Sequence, residues 1–151
     1  MVGGRADPAN VERLLRALPE WFGIEDSLLG YVAEAGTLPG YLAYIEGGSE
    51  GVGVLLLKRH FPHAAEVHLM AVTPALHRRG VGRALLAAAE ADLRSDGVRL
   101  LQVKTLGPSC PDDGYRRTLA CYRAQGFIPL EEIDGLWPGN PCLILVKSLS
   151  G

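Results

Sequence analysis

The sequence of 151 residues has few of the features that mark secreted, membrane or metal-binding proteins. Its three cysteines, Cys110, Cys121 and Cys142, lie at spacings that fit neither a zinc site nor a disulfide framework. No apolar run reaches the roughly 18–20 residues of a membrane span, and the glycine-rich start, residues 1–8, lacks the apolar stretch of a signal peptide. We therefore expect a cytoplasmic protein with reduced thiols, no metal and no membrane association.

The chain also lacks an excess of positive charge. It carries 15 basic and 17 acidic residues, for a formal net charge of −2, whereas affinity for nucleic acid requires clustered positive charge that displaces counterions. One local exception is the group Arg78, Arg79 and Arg83. A basic cluster in a slightly acidic protein predicts a small anionic ligand rather than a nucleic acid.

What is present suits one domain over residues 1–151. Hydrophobic residues make up 48% of the chain, enough for a single core, and no repeat or low-complexity linker divides it. Periodicity and turn signals predict a mixed α/β order. The predicted helices are 11–18 (with Asp7-Pro8 as cap and first turn), 25–35 (opening on Asp26 or Ser27), 80–96, and one capped by Asp112 or Asp113 that runs to about 125. The predicted strands are 41–46, 51–59, 66–72, 98–105, 127–133 and 142–148.

The segment 66–105 carries most of the information. Apolar residues recur every four positions along its helix, at Val81, Leu85, Ala89 and Leu93, with Ala84 and Ala88 widening the stripe. Gly97 is a natural helix stop. Strand, helix and strand in about 40 residues predict a βαβ unit with parallel strands and a right-handed crossover.

The loop between Val72 and this helix has the composition of an anion site. The first turn of a helix has backbone N–H groups without partners and partial positive charge, which attract phosphate. Gly80 and Gly82 leave the backbone open, and the flanking arginines add charge-assisted hydrogen bonds. Glycines that ease tight strand–helix packing are the alternative interpretation. The loop lacks the Gly-Lys-Ser/Thr ending of a P-loop and the third glycine of a Rossmann turn.

Two motifs together resemble the GNAT superfamily of N-acetyltransferases. The first is Val72-Thr73-Pro74 followed by His77-Arg78-Arg79-Gly80-Val81-Gly82 and an Ala/Leu-rich helix, which is similar to the family's coenzyme A loop. His77 stands where Gln or Arg is usual. The second is Cys121-Tyr122-Arg123-Ala124-Gln125-Gly126-Phe127, similar to the family's Phe-Tyr-x-x-x-Gly-Phe signature. The motifs have the family's order and separation, and the resemblance covers residues 64–130 most closely.

The resemblance implies the GNAT fold, of class α/β (α+β). Its central twisted sheet is mixed, mostly antiparallel and of six to seven strands, flanked by about four helices. Its fourth and fifth strands are parallel and would splay apart just past Val72. The coenzyme-binding core would be residues 64–130. The family's usual first strand is not recognisable, because residues 1–8 are short and glycine-rich.

By the same resemblance, acetyl-CoA is the expected co-substrate. Backbone groups of Met70 to Val72 would pair with the pantetheine amides as an added strand does, and a backbone N–H near Ala71 or Val72 would polarise the thioester. Tyr115 stands where the family often has Asn. The implied coenzyme contacts are Met70, Ala71, Val72, His77, Arg78, Arg79, Gly80, Val81, Gly82, Arg83 and Tyr115.

Amide formation from a thioester needs a deprotonated amine, a polarised carbonyl and a proton for the leaving thiolate. Tyr122 stands where the family places its general acid, although a core tyrosine on a stripe with Tyr115 and Leu119 is the alternative. Glu66 and His68 lie two apart on one strand, hence on one face, and are the candidate bases. Both could equally be solvated strand residues, and many family members use ordered water without a single base.

The acceptor amine is less well defined. Acidic residues that could attract a cation, or simply be solvated surface, are Asp112, Asp113, Glu131, Glu132 and Asp134. Trp21 and Trp137 could line an acceptor pocket. Cys110 is not expected to act as a nucleophile, since direct transfer in a ternary complex needs none.

The leading hypothesis is an enzyme that transfers an acetyl or related short acyl group from coenzyme A to a primary amine of a small molecule or polypeptide. A non-catalytic acyl-CoA sensor is the alternative, and the two differ at Tyr122, Glu66 and His68. A nucleotide-binding domain of another fold would instead bind ATP or NAD. The apolar strand around residues 142–146 could pair across a homodimer interface.

Overall fold

The computed structural model describes residues 2–3, 6–19, 21–106, 113–137 and 140–149, and only the backbone of residues 106, 113–115 and 140. Its α-helices in these ranges are α1 (Pro8–Arg16), α2 (Glu25–Ala35), α3 (Val81–Ser95) and α4 (Asp113–Ala124). Its strands are β1 (Val2–Gly3), β2 (Gly40–Tyr44), β3 (Gly51–Phe61), β4 (Ala64–Val72), β5 (Leu100–Leu106), β6 (Ile128–Trp137) and β7 (Asn140–Ser148). A short 3-10 helix, Pro74–Leu76, follows β4. None of the described helices combines the length and apolar character needed to cross a membrane.

The strands form one seven-stranded mixed sheet in the order β1-β2-β3-β4-β5-β7-β6. The pairs β1–β2, β2–β3, β5–β7 and β6–β7 are antiparallel, and β4 and β5 are parallel. The predicted fold class and the parallel fourth and fifth strands are confirmed. The splay of that pair past Val72 stays a prediction.

The chain divides into two compact units. One consists of Met1–Lys58 and Val67–Asp96, and the other of Arg59–Glu66 and Gly97–Gly151. The assignment of residues 1–151 to a single acetyltransferase domain, with its coenzyme-binding core at 64–130, stays a prediction.

The first unit is built around α1 and α2. Asp7 caps α1 as predicted, since its side chain accepts a hydrogen bond from the Asn10 backbone N–H at 2.9 Å and Pro8 occupies the first turn. The core of this unit contains Ala6, Val11, Leu14, Leu15, Leu18, Leu28, Ala35, Leu42, Val54, Leu56, Leu69 and Ala71. Val11, Leu14 and Leu15 recur at helical spacing and form the buried face of α1.

The second helix begins one residue before the expected caps. Ile24 precedes it and makes no side-chain cap bond, so the prediction that Asp26 or Ser27 opens the helix is wrong. Glu25 and Asp26 instead lie in its first turn. Negative charge there interacts favourably with the helix dipole without a cap.

The third helix buries Leu85, Ala89 and Leu93 of the predicted stripe, whereas Val81 and Ala88 are half-buried. Its buried residues are Leu85, Leu86, Ala89, Glu90 and Leu93. Ala84, expected on that stripe, is exposed, and Leu86 is buried in its place. The long side chain at 86 reaches the core from a position where a methyl group would not.

The second unit contains the antiparallel strands β5, β7 and β6, the tip of the β3–β4 hairpin and α4. Leu101, Val103, Phe127 and Leu145 are among its buried residues. β6 runs on to Trp137, beyond the predicted end at 133. Its exposed large apolar residues are Ile128, Leu130 and Leu136.

Two sequence-based expectations about strands fail. Residues 2–3 do form a strand, since Val2 pairs with Ala43 and Gly3 with Leu42. A two-residue strand depends on its partner, so its own sequence carries no pattern. The expectation that residues 142–146 pair across a dimer interface is also wrong, because β7 lies between β5 and β6 and has no free edge.

Candidate functional site

The loop after β4 is fixed by backbone hydrogen bonds, both to the sheet and within the loop. The Thr73 backbone N–H donates to the Val52 carbonyl at 2.8 Å, which fixes the point where the chain leaves the strand. The 3-10 helix follows, and the His77 backbone N–H donates to the Pro74 carbonyl at 3.2 Å. The chain that enters α3 therefore starts from a fixed position.

The loop turns into α3 through two residues with positive φ. Arg78 has a φ of 64° and is the one non-glycine residue of the described chain in this region, and Gly80 has a φ of 83°. A left-handed conformation costs a residue with a Cβ about 1–2 kcal/mol. Such outliers persist where the surrounding structure holds them and are enriched at ligand-binding sites.

The first turn of α3 has open backbone donors. The Ala84 N–H donates to the Gly80 carbonyl at 3.0 Å, and Gly80 makes no side-chain cap bond. Within the described chain, the backbone N–H groups of Val81, Gly82 and Arg83 have no protein acceptor. Three neighbouring donors and the positive end of the helix dipole form an anion-binding arrangement.

The three arginines of the loop add charge next to these donors. Arg78, Arg79 and Arg83 are exposed. None of their guanidinium groups forms a hydrogen bond or ion pair with another residue of the described ranges. Their guanidinium groups are thus free to bind an anionic ligand in bidentate fashion.

His77 has a structural partner in this loop. Its Nε2 lies 2.8 Å from the Val72 carbonyl oxygen, so this nitrogen donates and closes the loop onto the end of β4. Its ring packs edge-on against Trp21, with centroids 5.9 Å apart. The contact of His77 with the coenzyme stays a prediction, and Nδ1 would have to make it if the closing bond persists.

A cavity of about 280 Å³ lies beside the loop. Its lining residues are Ala17, Leu18, Pro19, Trp21, Pro74 and His77. The structure thus brings Trp21 to a cavity, as one of the two tryptophans that the sequence singled out. Trp137 lies at the end of β6 and is half-buried.

Glu66 is buried and already paired. Its side chain is 7% exposed, and Oε1 lies 2.7 Å from His60 Nε2. Lys104 Nζ lies 3.5 Å from each carboxylate oxygen. Both carboxylate oxygens of Glu66 therefore already have partners within the protein.

His68 is paired with a carboxylate from α2. Its side chain is 18% exposed, and Nε2 lies 2.9 Å from Glu34 Oε1. Lys58 Nζ is 3.5 Å from Glu34 Oε2, and the Tyr31 ring centroid is 5.3 Å from that of His68. Burial alone would raise the pKa of Glu34, but the hydrogen bond with His68 and the charge of Lys58 lower it overall. His68 Nδ1 has no partner among the described residues.

Tyr122 lies on α4 and is 5% exposed. Its ring packs edge-on against Phe127 at 5.5 Å. Its hydroxyl has no hydrogen-bond partner in the described part of the chain. Burial, together with the nearby Cys121, raises the pKa of Tyr122. The residue is therefore a core tyrosine whose polar end is unengaged.

The structure gives no side-chain geometry for four of the residues that the sequence singled out. Cys110 and Asp112, and the side chains of Asp113 and Tyr115, lie outside the described residues. Glu131, Glu132 and Asp134 are exposed on β6. The described residues contain no group of three or more His, Cys, Asp or Glu side chains that could hold a metal ion.

Sequence reasoning missed the partners of the candidate bases. Glu34 is 34 positions from His68, and Lys104 is 38 positions from Glu66. No local pattern signals pairs that only the fold brings together. Thr105 was missed as well. It is buried on β5, and its Oγ1 has no partner among the described residues.

Solved structures share this fold. A proposed GNAT-family acetyltransferase from Desulfovibrio desulfuricans has a TM-score of 0.80 and 21% identity, with 99% of each chain covered. An aminoglycoside 6'-N-acetyltransferase complexed with coenzyme A has a TM-score of 0.77 and 17% identity, covering 100% of this chain and 98% of its own. The ribosomal-protein-S18-alanine N-acetyltransferase from Escherichia coli has a TM-score of 0.77 and 16% identity, covering 100% and 94%.

Sequence comparison gives the family. No curated protein sequence matches the chain. The model of the acetyltransferase (GNAT) domain matches residues 27–129, which include β4, the loop, α3 and the Tyr122 segment. The chain therefore belongs to the GNAT acetyltransferase family and is an acyl-CoA-dependent N-acyltransferase.

Proposed function

We propose that the protein transfers an acetyl group from acetyl-CoA to a primary amine of a small molecule or polypeptide, by direct attack in a ternary complex. The observation that carries the proposal is the open first turn of α3, where Val81, Gly82 and Arg83 have unpaired backbone N–H groups. A diphosphate is the part of coenzyme A that such a turn binds.

The coenzyme would be held mainly by main-chain groups. Its diphosphate would accept hydrogen bonds from the first turn of α3 and from Arg78, Arg79 and Arg83. Its pantetheine arm would pair with the backbone of Met70 to Val72. Because the Val72 carbonyl already accepts a hydrogen bond from His77, pairing would use the other main-chain groups of this segment. His77, Gly80 and Tyr115 would also contact the coenzyme.

Tyr122 is the proposed general acid. The amine nitrogen attacks the thioester carbonyl, the C–S bond breaks as the carbonyl re-forms, and the thiolate sulfur takes the phenolic proton. The raised pKa of Tyr122 keeps its phenol protonated at neutral pH. Transfer to a thiolate whose acid has a pKa near 8.5 is then uphill, so it depends on alignment during C–S cleavage.

His68 is the base that the geometry favours over Glu66. Its Nδ1 has no partner among the described residues, whereas both oxygens of Glu66 contact a cation. His68 would remove the amine proton directly or through a water. Glu66 remains the second candidate for this role.

The acceptor would use the cavity beside the loop. Its lining is apolar apart from His77 and contains Trp21. Such a lining supports an acceptor with an apolar or aromatic group near the amine. Exposed Glu131 and Asp134 on β6 are the alternative recognition elements, for a cationic acceptor.

We also propose that the protein is cytoplasmic and forms a homodimer. The low cysteine content supports a cytoplasmic protein. A homodimer would form through β6, which ends the strand order and exposes Ile128, Leu130 and Leu136. Light scattering should give twice the chain mass, and Leu130→Lys should reduce it to that of one chain.

Release of free thiol from acetyl-CoA with a panel of amines tests the activity. We expect at least one amine to elicit release, and Tyr122→Phe to lower kcat by about 100-fold, within the usual range for a general acid. Binding of acetyl-CoA, measured by calorimetry, should be unchanged in this variant.

The alternatives give different results in the same experiments. A sensor would bind acetyl-CoA while no amine elicits thiol release. A nucleotide-binding domain of another type would bind ATP or NAD without competition from coenzyme A.

A further inference from the structure

We infer that Glu34 is a positioning residue, which holds His68 as the tautomer with its proton on Nε2 and thereby leaves Nδ1 as the atom that accepts the proton of the amine. The inference rests on the proposed role of His68 as the base. It adds to that proposal a second residue, a tautomer and a reacting atom.

The hydrogen-bond geometry fixes the tautomer. His68 Nε2 and Glu34 Oε1 are 2.9 Å apart. A carboxylate only accepts hydrogen bonds, so Nε2 must carry the hydrogen. A neutral imidazole has one such hydrogen, which leaves the lone pair on Nδ1. This nitrogen has no partner among the described residues.

The carboxylate is itself held in place. Lys58 Nζ lies 3.5 Å from Glu34 Oε2, on the oxygen that His68 does not contact. The pKa of Glu34 is lowered, so the side chain is ionised at neutral pH and cannot act as a donor. Tyr31 lies against the imidazole with ring centroids 5.3 Å apart. His68 is therefore oriented by a charged acceptor on one side and an aromatic ring on another.

A second imidazole–carboxylate pair in the chain has the opposite arrangement. His60 Nε2 lies 2.7 Å from Glu66 Oε1, but there the carboxylate is 7% exposed and the imidazole 43%. In the Glu34 pair the imidazole is the more buried member, at 18% against 34%. Of these two histidines, His68 alone combines a fixed Nε2 with a mostly buried ring and an Nδ1 that has no partner among the described residues.

The tautomer can be measured without turnover. In the full chain labelled with ¹⁵N-histidine, His68 of the wild type should show a protonated Nε2 and an unprotonated Nδ1. Glu34→Gln offers either a carbonyl or an NH₂ group to Nε2, so the single tautomer should be lost. Glu34→Asp keeps the charge and should retain the tautomer in part.

The kinetic readout uses the amine that the wild type acetylates. Since a general base contributes about 10²–10⁴-fold, misorientation should lower kcat about 10-fold in Glu34→Gln, with KM for acetyl-CoA unchanged. Glu25→Gln is the matched control, because it removes the same charge from α2 at an exposed pair with Arg16. It should leave both readouts at the wild-type level.

The outcomes separate this inference from the proposed function. A protonated Nδ1 in the wild type overturns the inference, and so does a wild-type kcat in Glu34→Gln, whether or not the tautomer changes. The proposed function is overturned by a different result, in which the wild type releases no thiol with any of the amines. Circular dichroism of Glu34→Gln and Glu34→Asp establishes that the variants are folded.

Discussion

Gly53 of β3 lies directly against Val81, the first residue of α3. A Cβ built on Gly53 would be 2.8 Å from Val81 Cγ1 and 3.1 Å from Leu85 Cδ1. Real Cβ atoms do not approach a neighbour at the first of these distances. The start of α3, with its open backbone donors, therefore occupies a position that only glycine at 53 allows.

Gly53→Ala should affect both stability and coenzyme binding. Val81 is β-branched and has little freedom at χ1, so the helix start itself would have to move. We expect a loss of about 1–3 kcal/mol in the free energy of unfolding, as in other overpacked sites, measured by urea denaturation. Calorimetry should show weaker binding of coenzyme A.

Two comparisons isolate the packing effect of that change. Gly30 of α2 has open space around its Cβ position, so Gly30→Ala should be neutral or stabilising by up to about 1 kcal/mol. Val81→Ala should restore part of the stability of Gly53→Ala in the double variant. Independent, additive losses would show that the two residues do not compete for the same space.

Gly82→Val should separate ligand binding from folding. A Cβ on Gly82 would lie 3.6 Å from Met70 Cε, which is an ordinary contact. We expect unfolding to change by about 0.5 kcal/mol or less, while coenzyme A affinity falls sharply because the branched side chain occupies the phosphate position. A variant that binds coenzyme A as the wild type does would remove the diphosphate from this turn.

Loss of the loop arginines should weaken coenzyme A binding, because positive charges that bind its diphosphate are removed. Hydrogen bonds to charged groups are worth about 1.5–3 kcal/mol each, and with exposure discounted the Arg78→Ala, Arg79→Ala double variant should lose about 2–4 kcal/mol in calorimetry at low salt. Unchanged affinity would contradict the placement. Arg78→Gly gives a useful comparison, since it removes one charge and also relieves the positive φ of 64°. It should be more stable than Arg78→Ala.

Asp7 should make stability depend on pH. Hydrogen bonds from the Asn10 side chain and backbone lower the pKa of Asp7, so the folded state favours the carboxylate. Its contribution is present above the unfolded pKa of about 3.9 and is lost as pH falls through the folded value. Asp7→Ala should cost about 1 kcal/mol at pH 7.

The control for that effect keeps the cap without the charge. Asp7→Asn should retain most of the stability at pH 7, because Asn is an equally good N-cap. The difference between wild type and Asp7→Ala should shrink in urea denaturation at pH 3. A difference that is the same at both pH values would mean that the carboxylate form does not matter.

The sequence was informative where structure is encoded locally. The cap at Asp7, the stop at Gly97 and the loop into α3 are all short-range features, and the structure has them as expected. β1 was missed because its two residues become a strand only beside Leu42 and Ala43.

The same distinction between local and long-range features applies to the candidate site. The backbone donors of α3 follow from a helix start that lacks a cap, which the sequence shows. The pairs of His68 with Glu34 and of Glu66 with Lys104 join residues from distant segments. Their geometry depends on contacts between residues far apart in the chain, which no local pattern specifies.

Main-chain donors at the start of α3 have a consequence for how such proteins diverge. A peptide N–H is supplied by whichever amino acid occupies the position, proline excepted, so most substitutions leave the donors in place. The constraint falls instead on sites where a side chain would intrude, as at Gly53. Distant relatives of this chain should therefore be sought by glycines at positions such as 53, rather than by the overall sequence identity.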